Sequence, residues 1–412
     1  MDYTLGSVRF NFLCKILFGT FFILSVIYVV LWNLPFGYKP VKATLLWSLP
    51  LYLENTDVET EHNITESKTE YNTTESKSEH AITDTETEHT ITWYNLPWFI
   101  NTRGSAVNFT FKNCKYKNCK LSLDRKDIKN SSAVLIDGRV LSGRKSLLKI
   151  ERPLGQIWIY AAHESPRLYK KSDWINSPLR YVFNWTMFYK RENTDIHLPY
   201  GQLKETSAFS PRNFTDIALR KTDGALLITS HCPTDSRREQ YIAKLKNYLP
   251  VEVLGSCGKP WSCGMRTVHD ECFGLLNTTY AFYLAFENAL CKEYFTEKLF
   301  ENFDYDIIIV SRGGGKGDTN RMLPRDTIIT TDDFENADDL GRYLAYVSKS
   351  PAVYGYMLRR KSRYVSVGYN ALHERAMCQI CEMINNVEKN RRTIDIYKWL
   401  FIPDACRIPY DI

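Results

Sequence analysis

A strand, a polar tip, a short helix, a second strand and a glycine turn succeed one another between Tyr280 and Gly315. Few folds accommodate that order. Ala281 to Phe286 is an apolar run of the length of a buried strand, and Glu287 and Asn288 stand where it should end. Tyr294 to Phe303 has helical character, with Thr296 placed as N-cap and Leu299 and Phe303 four apart on one face. Ile307 to Val310 is a second apolar run, closed by Arg312 and three glycines. This is one βαβ unit. In such units ligands gather at the carboxyl ends of the strands, and helix starts attract phosphate.

A second start of the same kind lies upstream. Gly224 to His231 reads as a strand with a polar end, and Asp235 is placed to cap a helix from about Ser236 to Tyr248. Val251 to Leu254 is the next strand, and Arg237 falls in the first turn of the helix. Further forward, Ser132–Ile136 and Ile157–Ala161 look like buried strands. His163-Glu164-Ser165-Pro166 follows, and proline biases Ser165 away from helix, which leaves Glu164 at a strand end facing a cleft. Asp338 to Val347 is helical by its apolar spacing. The class is α/β, with Rossmann-like domains over 93–222 and 223–375 and a cysteine-containing segment over 376–412.

The first 92 residues are of another kind. Residues 1–15 form a short tail, and 16–32 run without a charge, about 26 Å as a helix. That segment reads as a transmembrane signal anchor, the competing reading being a cleaved signal peptide. Residues 33–92 read as a stem. A nine-residue repeat begins at Thr60 (TEHNITESK, TEYNTTESK, SEHAITDTE) and is too polar to bury a face. Glu54 to Thr92 carries eleven carboxylates against Lys68 and Lys77, a net −9 in a chain of +6. The remainder is therefore +15, which suits an anionic ligand such as a nucleotide diphosphate. Seven Asn-x-Ser/Thr sequons, at Asn63, Asn72, Asn108, Asn130, Asn184, Asn213 and Asn277, favour a lumenal body and oxidised cysteines. Cys114 and Cys119 read as a local disulfide; Cys378-x-x-Cys381 reads as disulfide-forming rather than as a zinc or redox site.

FYLAFEN followed by YFTEKLFEN resembles the donor-site signature of the GDP-fucose-dependent α1,3-fucosyltransferases, glycosyltransferase family 10. The resemblance runs from about Ile157 to Cys381 and includes Phe183 to Gly201 (FNWTMFYKRENTDIHLPYG). It is closest to invertebrate and plant members between Cys257 and Glu301. It implies a GT-B-like pair of Rossmann-like domains facing a cleft, with the acceptor glycan held by the first and GDP-fucose by the second. Glu164 would be the general base. Arg237, four residues before Tyr241, and Lys298 would meet the diphosphate, and Tyr241 counts with the donor side. Glu297 would bind donor hydroxyls, Tyr294 would pack against the nucleotide, and Glu287 and Asn288 match further donor-site positions. His163, Tyr189 and Tyr200 fall on the acceptor side. The resemblance implies a type II Golgi membrane protein that fucosylates a glycoprotein glycan, with no cofactor or nucleic-acid partner. The acceptor would be GlcNAc in α1,3 linkage, of the N-glycan core or of a Lewis-type LacNAc or LacdiNAc unit. An inactive sugar-binding member is the rival from another class.

The chemistry agrees with the residue types. Displacing GDP from the anomeric carbon needs a base for the acceptor hydroxyl and cations for the leaving diphosphate. One base acting directly inverts the anomeric centre, by analogy with inverting glycosidases. Asp304-Tyr305-Asp306 is the spacing of a metal–nucleotide motif but precedes its strand instead of ending it. Arg312-Gly-Gly-Gly-Lys-Gly lacks the Ser/Thr a P-loop requires and reads as a mobile glycine turn. Where family members carry lysine, proline and tyrosine, this chain has Ala281, Ile309 and Thr319.

Overall fold

The computed structural model describes residues 87–97, 100, 109–141, 150–207, 212–260, 273–390 and 392–412. The predicted anchor, most of the stem, and Asn63, Asn72 and Asn108 lie outside them. Everything described from 87 onward belongs to one compact unit, 82–412.

Two parallel sheets build it. The first has the order β2-β1-β3-β4-β5-β6, from β1 (His89–Asn95), β2 (Cys119–Ser122), β3 (Ala133–Asp137), β4 (Ile157–Ala161), β5 (Trp185–Phe188) and β6 (Ile196–His197). β7 (Gln202–Glu205) leads away from it. The second has the order β13-β12-β10-β8-β9, from β8 (Thr222–Ile228), β9 (Val251–Leu254), β10 (Tyr280–Phe286), β12 (Ile308–Arg312) and β13 (Ile328–Thr330). Between them in the chain lies β11 (Leu290–Cys291), which pairs with β15 (Cys406–Arg407), while β14 (Tyr364–Val367) pairs with β7. Each large sheet reverses its winding beside its first strand, and ligand crevices open at the carboxyl ends there.

The apolar runs are continuous because both faces of each sheet are covered. In the first sheet Leu135, Ile157, Ile159 and Trp185 pack on one side against the helix Tyr369–Asn385. On the other side Val134, Ile136, Trp158 and Tyr160 join a second cluster. That cluster also takes Leu226, Tyr283 and Ile309 from the second sheet, so the two lobes share a core. Gly201 marks the closest approach: a Cβ there would come within 2.1 Å of the Phe300 ring, so no larger residue fits.

Several boundaries differ from the sequence reading. The stem ends earlier than residue 92, since His89–Thr92 form the first half of β1, where Ile91 is fully buried. The division at 375/376 cuts through the helix Tyr369–Asn385, which belongs to the core of the first lobe. The helix predicted over Tyr294–Phe303 is one turn, Glu297–Phe300. Thr296 caps it as expected, but Asn302 donates its side-chain amide to the Lys298 carbonyl and ends it early.

The cysteines also pair differently. Cys114 joins Cys378 and Cys119 joins Cys381. Spaced three apart on one helix, Cys378 and Cys381 present both sulfurs to the loop, so each end of that loop is stapled to the helix instead of closing on itself. Cys232–Cys257 and Cys291–Cys406 complete the described set. After the helix the chain crosses both lobes. Asp395 forms a bidentate pair with Arg180 of the first lobe, and Asp411 forms one with fully buried Arg312 of the second.

Candidate active site

Glu164 lies three residues beyond the end of β4, just before the turn Pro166–Leu168. Its side chain is 24% exposed. One oxygen, Oε1, accepts from Arg139 Nη1 at 3.2 Å; the other, Oε2, accepts from the Tyr294 hydroxyl at 2.9 Å. Arg139 belongs to the first lobe and Tyr294 to the second. The carboxylate thus sits in the crevice between the lobes, with donors from each side.

The second lobe places its charges beside that point. Glu287 directly follows β10, is almost fully buried and accepts from the backbone N–H and hydroxyl of Thr296 at 2.8 and 2.9 Å. Lys298 Nζ lies 3.4 Å from Glu287 Oε2 and 3.1 Å from Glu297 Oε1. Burial pushes the Lys298 ammonium down, but the two carboxylates outweigh it and hold it well above the ordinary lysine range. It is cationic at any physiological pH.

Two adjacent arginines at the other strand end have opposite environments. Arg238 is buried and brackets the switch point: Nη1 donates to the Phe286 carbonyl, and Nη2 to Thr229 Oγ1 and the His231 carbonyl. Arg237 is exposed, at a left-handed φ of 50°, immediately before the helix Arg238–Leu245. Its side chain makes no ion pair among the described residues. Ser236 closes the turn, donating its hydroxyl to the Glu287 carbonyl at 2.6 Å and its N–H to the Asn288 carbonyl at 3.0 Å. Arg167 and Asp235 approach to 3.9 Å across the rim.

Other sequence-predicted residues are placed differently. Tyr294 does not face an open nucleotide crevice. It is buried under Glu164, its ring 4.9 Å from Tyr189 and 6.0 Å from Tyr200. Tyr189 and Tyr200 are buried too, and Tyr200 donates to the His163 carbonyl at 2.7 Å. The His163 ring stacks 3.8 Å from Tyr200, so these three shape the floor beneath the base. Tyr241 is a core residue, its ring 4.2 Å beneath the Arg312 guanidinium. Helical spacing turns it to the inside while Arg237 stays out. Asn288 is half-buried, with its side-chain oxygen unpartnered.

Two lobes meeting at a carboxylate, with a lysine and an exposed arginine at helix starts in the second lobe, can deprotonate one ligand and neutralise an anion on another. A fucosyltransferase N-terminal model matches residues 85–201, and a glycosyltransferase family 10 (fucosyltransferase) C-terminal model matches 218–399. The chain belongs to glycosyltransferase family 10. An α-(1,3)-fucosyltransferase C of Drosophila melanogaster is 31% identical over 247 residues, 55% of each chain. A 4-galactosyl-N-acetylglucosaminide 3-α-L-fucosyltransferase of Gorilla gorilla gorilla is 37% identical over 215 residues, 51% of this chain and 53% of the relative. The chain spans about half the length of the curated relatives it matches. A crystal structure of an α1,3-fucosyltransferase is 15% identical, with a TM-score of 0.47, covering 75% of this chain and 93% of that one.

The departures of this family 10 chain from its relatives' pattern are absorbed structurally. Ala281 is buried and its carbonyl accepts from Tyr354. Ile309 sits in the middle of β12, paired on both sides, where proline would remove a ladder bond. Thr319 meets Thr330 hydroxyl to hydroxyl at 3.2 Å. The Asp-x-Asp is structural, Asp306 pairing with Arg212 and Asp304 accepting from Ser366 N–H. The glycine turn is anchored: Asp318 accepts from Gly315 and Glu293 N–H at 2.6 Å, and Gly314 donates to the Tyr294 carbonyl. Of the sequons, Asn130, Asn213 and Asn277 are exposed. Asn184 is buried, donating to the Arg392 carbonyl and accepting from Trp158 N–H, which leaves no room for a glycan. Sequence reasoning missed Arg139 and the Arg312–Asp411 pair. Arg139 lies 25 positions from Glu164, and no periodicity connects them.

Proposed function

We propose that this chain transfers L-fucose from GDP-fucose to a GlcNAc hydroxyl of a glycoprotein glycan, with inversion, in α1,3 linkage. The observation that carries the reading is Glu164 held in the crevice by Tyr294, three residues before Glu297 and four before Lys298. That spacing supports a reading in which a base and a cationic side chain serve the same crevice. Glu164 takes the acceptor proton while Lys298 and Arg237 draw off the diphosphate. Glu297 and Asn288 serve the donor sugar, and Glu287 acts beneath them by fixing Thr296 and Lys298. The N-glycan core is the preferred acceptor, on the strength of the resemblance over Cys257–Glu301. The apolar segment 16–32 would tether the body in the Golgi membrane with the enzyme in the lumen.

The test is GDP release by the purified lumenal portion with GDP-fucose and a panel of core, LacNAc and LacdiNAc glycans. Transfer that survives EDTA and disappears in Glu164→Gln is the expected result. A protein that binds GDP-fucose and leaves every glycan unmodified would be a sugar-binding member instead.

A further inference from the structure

Asp235 is an acid where a diphosphate site calls for cations. It stands two residues before Arg237, at most about 7 Å of extended chain, which is within a Debye length at physiological salt. It does not cap the following helix as its place in the sequence suggests, since Arg238–Leu245 begins after Arg237 without a side-chain cap. Its carboxylate is exposed instead, and its one partner among the described residues is Arg167, Nε to Oδ2 at 3.9 Å.

Arg167 comes from the other lobe. It is the middle residue of the turn Pro166–Leu168, three positions after Glu164, and it is exposed with no other partner among the described residues. The backbone under both side chains is held. Ser165 is fully buried and its carbonyl accepts from Leu168 N–H at 3.0 Å; the Pro166 carbonyl accepts from Tyr169 N–H at 3.2 Å. Ser236, also fully buried, is tied to the Glu287 and Asn288 carbonyls. What can move is the pair of side chains. Their contact is long, and at 44% and 62% exposure it adds little to stability, so a stronger partner can replace it.

We infer that Arg167 is a donor-binding residue supplied by the acceptor lobe: Asp235 holds it in the ligand-free protein and gives it up to the diphosphate. This role rests on the diphosphate lying at Arg237, as proposed above. Two anions compete for one guanidinium. The carboxylate meets it through a single nitrogen at 3.9 Å. A diphosphate brings more charge, and its oxygens fit the arginine fork in two parallel bonds. Once Arg167 has changed partner, Asp235 and the diphosphate repel each other, and the exposed carboxylate turns to water. Because Arg167 is three residues from Glu164, a bound donor then holds the turn that follows the base.

Calorimetric titration with GDP tests the exchange in the whole lumenal portion, which contains the entire compact unit 82–412. In Arg167→Ala, GDP affinity should fall about three- to thirtyfold, the scale of a partly exposed charge-assisted contact. In Asp235→Asn it should rise about three- to tenfold, because the competitor and the repulsion are both gone. Arg167→Lys should lie between the parent and Arg167→Ala, since it keeps the charge and loses the fork. Melting temperatures should stay at the parental value, the pair being exposed. The opposite signs distinguish this role from a rim contact that only ties the lobes together, which would leave GDP affinity alone or move it the same way in both variants. An affinity within twofold of the parent in either Arg167→Ala or Asp235→Asn overturns the inference. So does weaker binding in Asp235→Asn, which would make the carboxylate itself a donor ligand. Arg237→Ala is measured alongside. If it binds GDP as the parent does, the diphosphate lies elsewhere and the inference falls with that assignment; if it loses GDP while Arg167→Ala does not, only the inference falls.

Discussion

Arg237 and Arg238 are neighbours in sequence, and the structure gives them opposite expected phenotypes. Arg238→Ala removes the side-chain donors on three acceptors, the Phe286 and His231 carbonyls and Thr229 Oγ1. Phe286 and Thr229 are buried, whereas His231 is exposed and its carbonyl can turn to water. Each buried acceptor left unpaired costs about 1–3 kcal/mol, and water will enter part of the vacated volume, which gives about 2 kcal/mol in all. For a unit of this size that corresponds to a melting temperature lower by roughly 4–8 °C. Arg237 is exposed and unpaired, so Arg237→Ala should shift stability by no more than about 0.5 kcal/mol. Its effect should instead be on GDP, weakened about ten- to a hundredfold by loss of a charge-assisted contact. Thermal unfolding at a fixed scan rate and calorimetric titration with GDP on the same preparations read out both. If Arg237→Ala melts early and binds GDP normally, while Arg238→Ala does the reverse, the two roles are exchanged and the bracket argument is wrong.

Tyr241→Phe should leave GDP affinity unchanged, because the hydroxyl is buried without a partner and the ring serves the core; a tenfold loss would return Tyr241 to the donor site. Glycopeptide mass spectrometry of secreted protein should find Asn184 unoccupied, and a glycan there would refute its buried placement. Non-reducing peptide mapping should recover Cys114 with Cys378 and Cys119 with Cys381, and a 114–119 loop would refute the staple. Burial holds His373 down at about 4, with neither ring nitrogen hydrogen-bonded. The unfolded chain takes up that proton near pH 6.5, so between these values it binds more protons than the folded one. Stability should then fall with acidification by about 1.4 kcal/mol per pH unit from this residue. Urea titrations across pH 5–7 should show a flatter slope for His373→Leu, and an unaltered slope would mean the folded protein carries that charge.

The central strands were legible because burial on both faces writes itself as uninterrupted apolar runs; Ile157–Ala161 falls where its sequence puts it. The positions of Glu164 and Glu287 just beyond strand ends followed from the same runs. What escaped was long-range. The destination of Cys378 and Cys381 depends on a helix crossing to the other lobe, and the placement of Tyr294 on a contact 130 positions away. The helix after Thr296 was overextended because apolar spacing cannot show that Asn302 turns back onto Lys298. Tyr241 and Asn184 were misplaced for a common reason: a polar group in a motif says nothing about which way its side chain points.

The two staples join residues 264 and 262 positions apart, so the sheet that forms first cannot be finished by its own sequence. At about 5–20 residues per second, the ribosome needs roughly 13–50 s after Cys114 to deliver Cys378. For that interval Cys114 and Cys119 are without their final partners and can pair with each other or with strangers. The covalent closure of the front lobe is thereby deferred until most of the second lobe has been made, and any pairing formed in the interval must be undone by thiol–disulfide exchange.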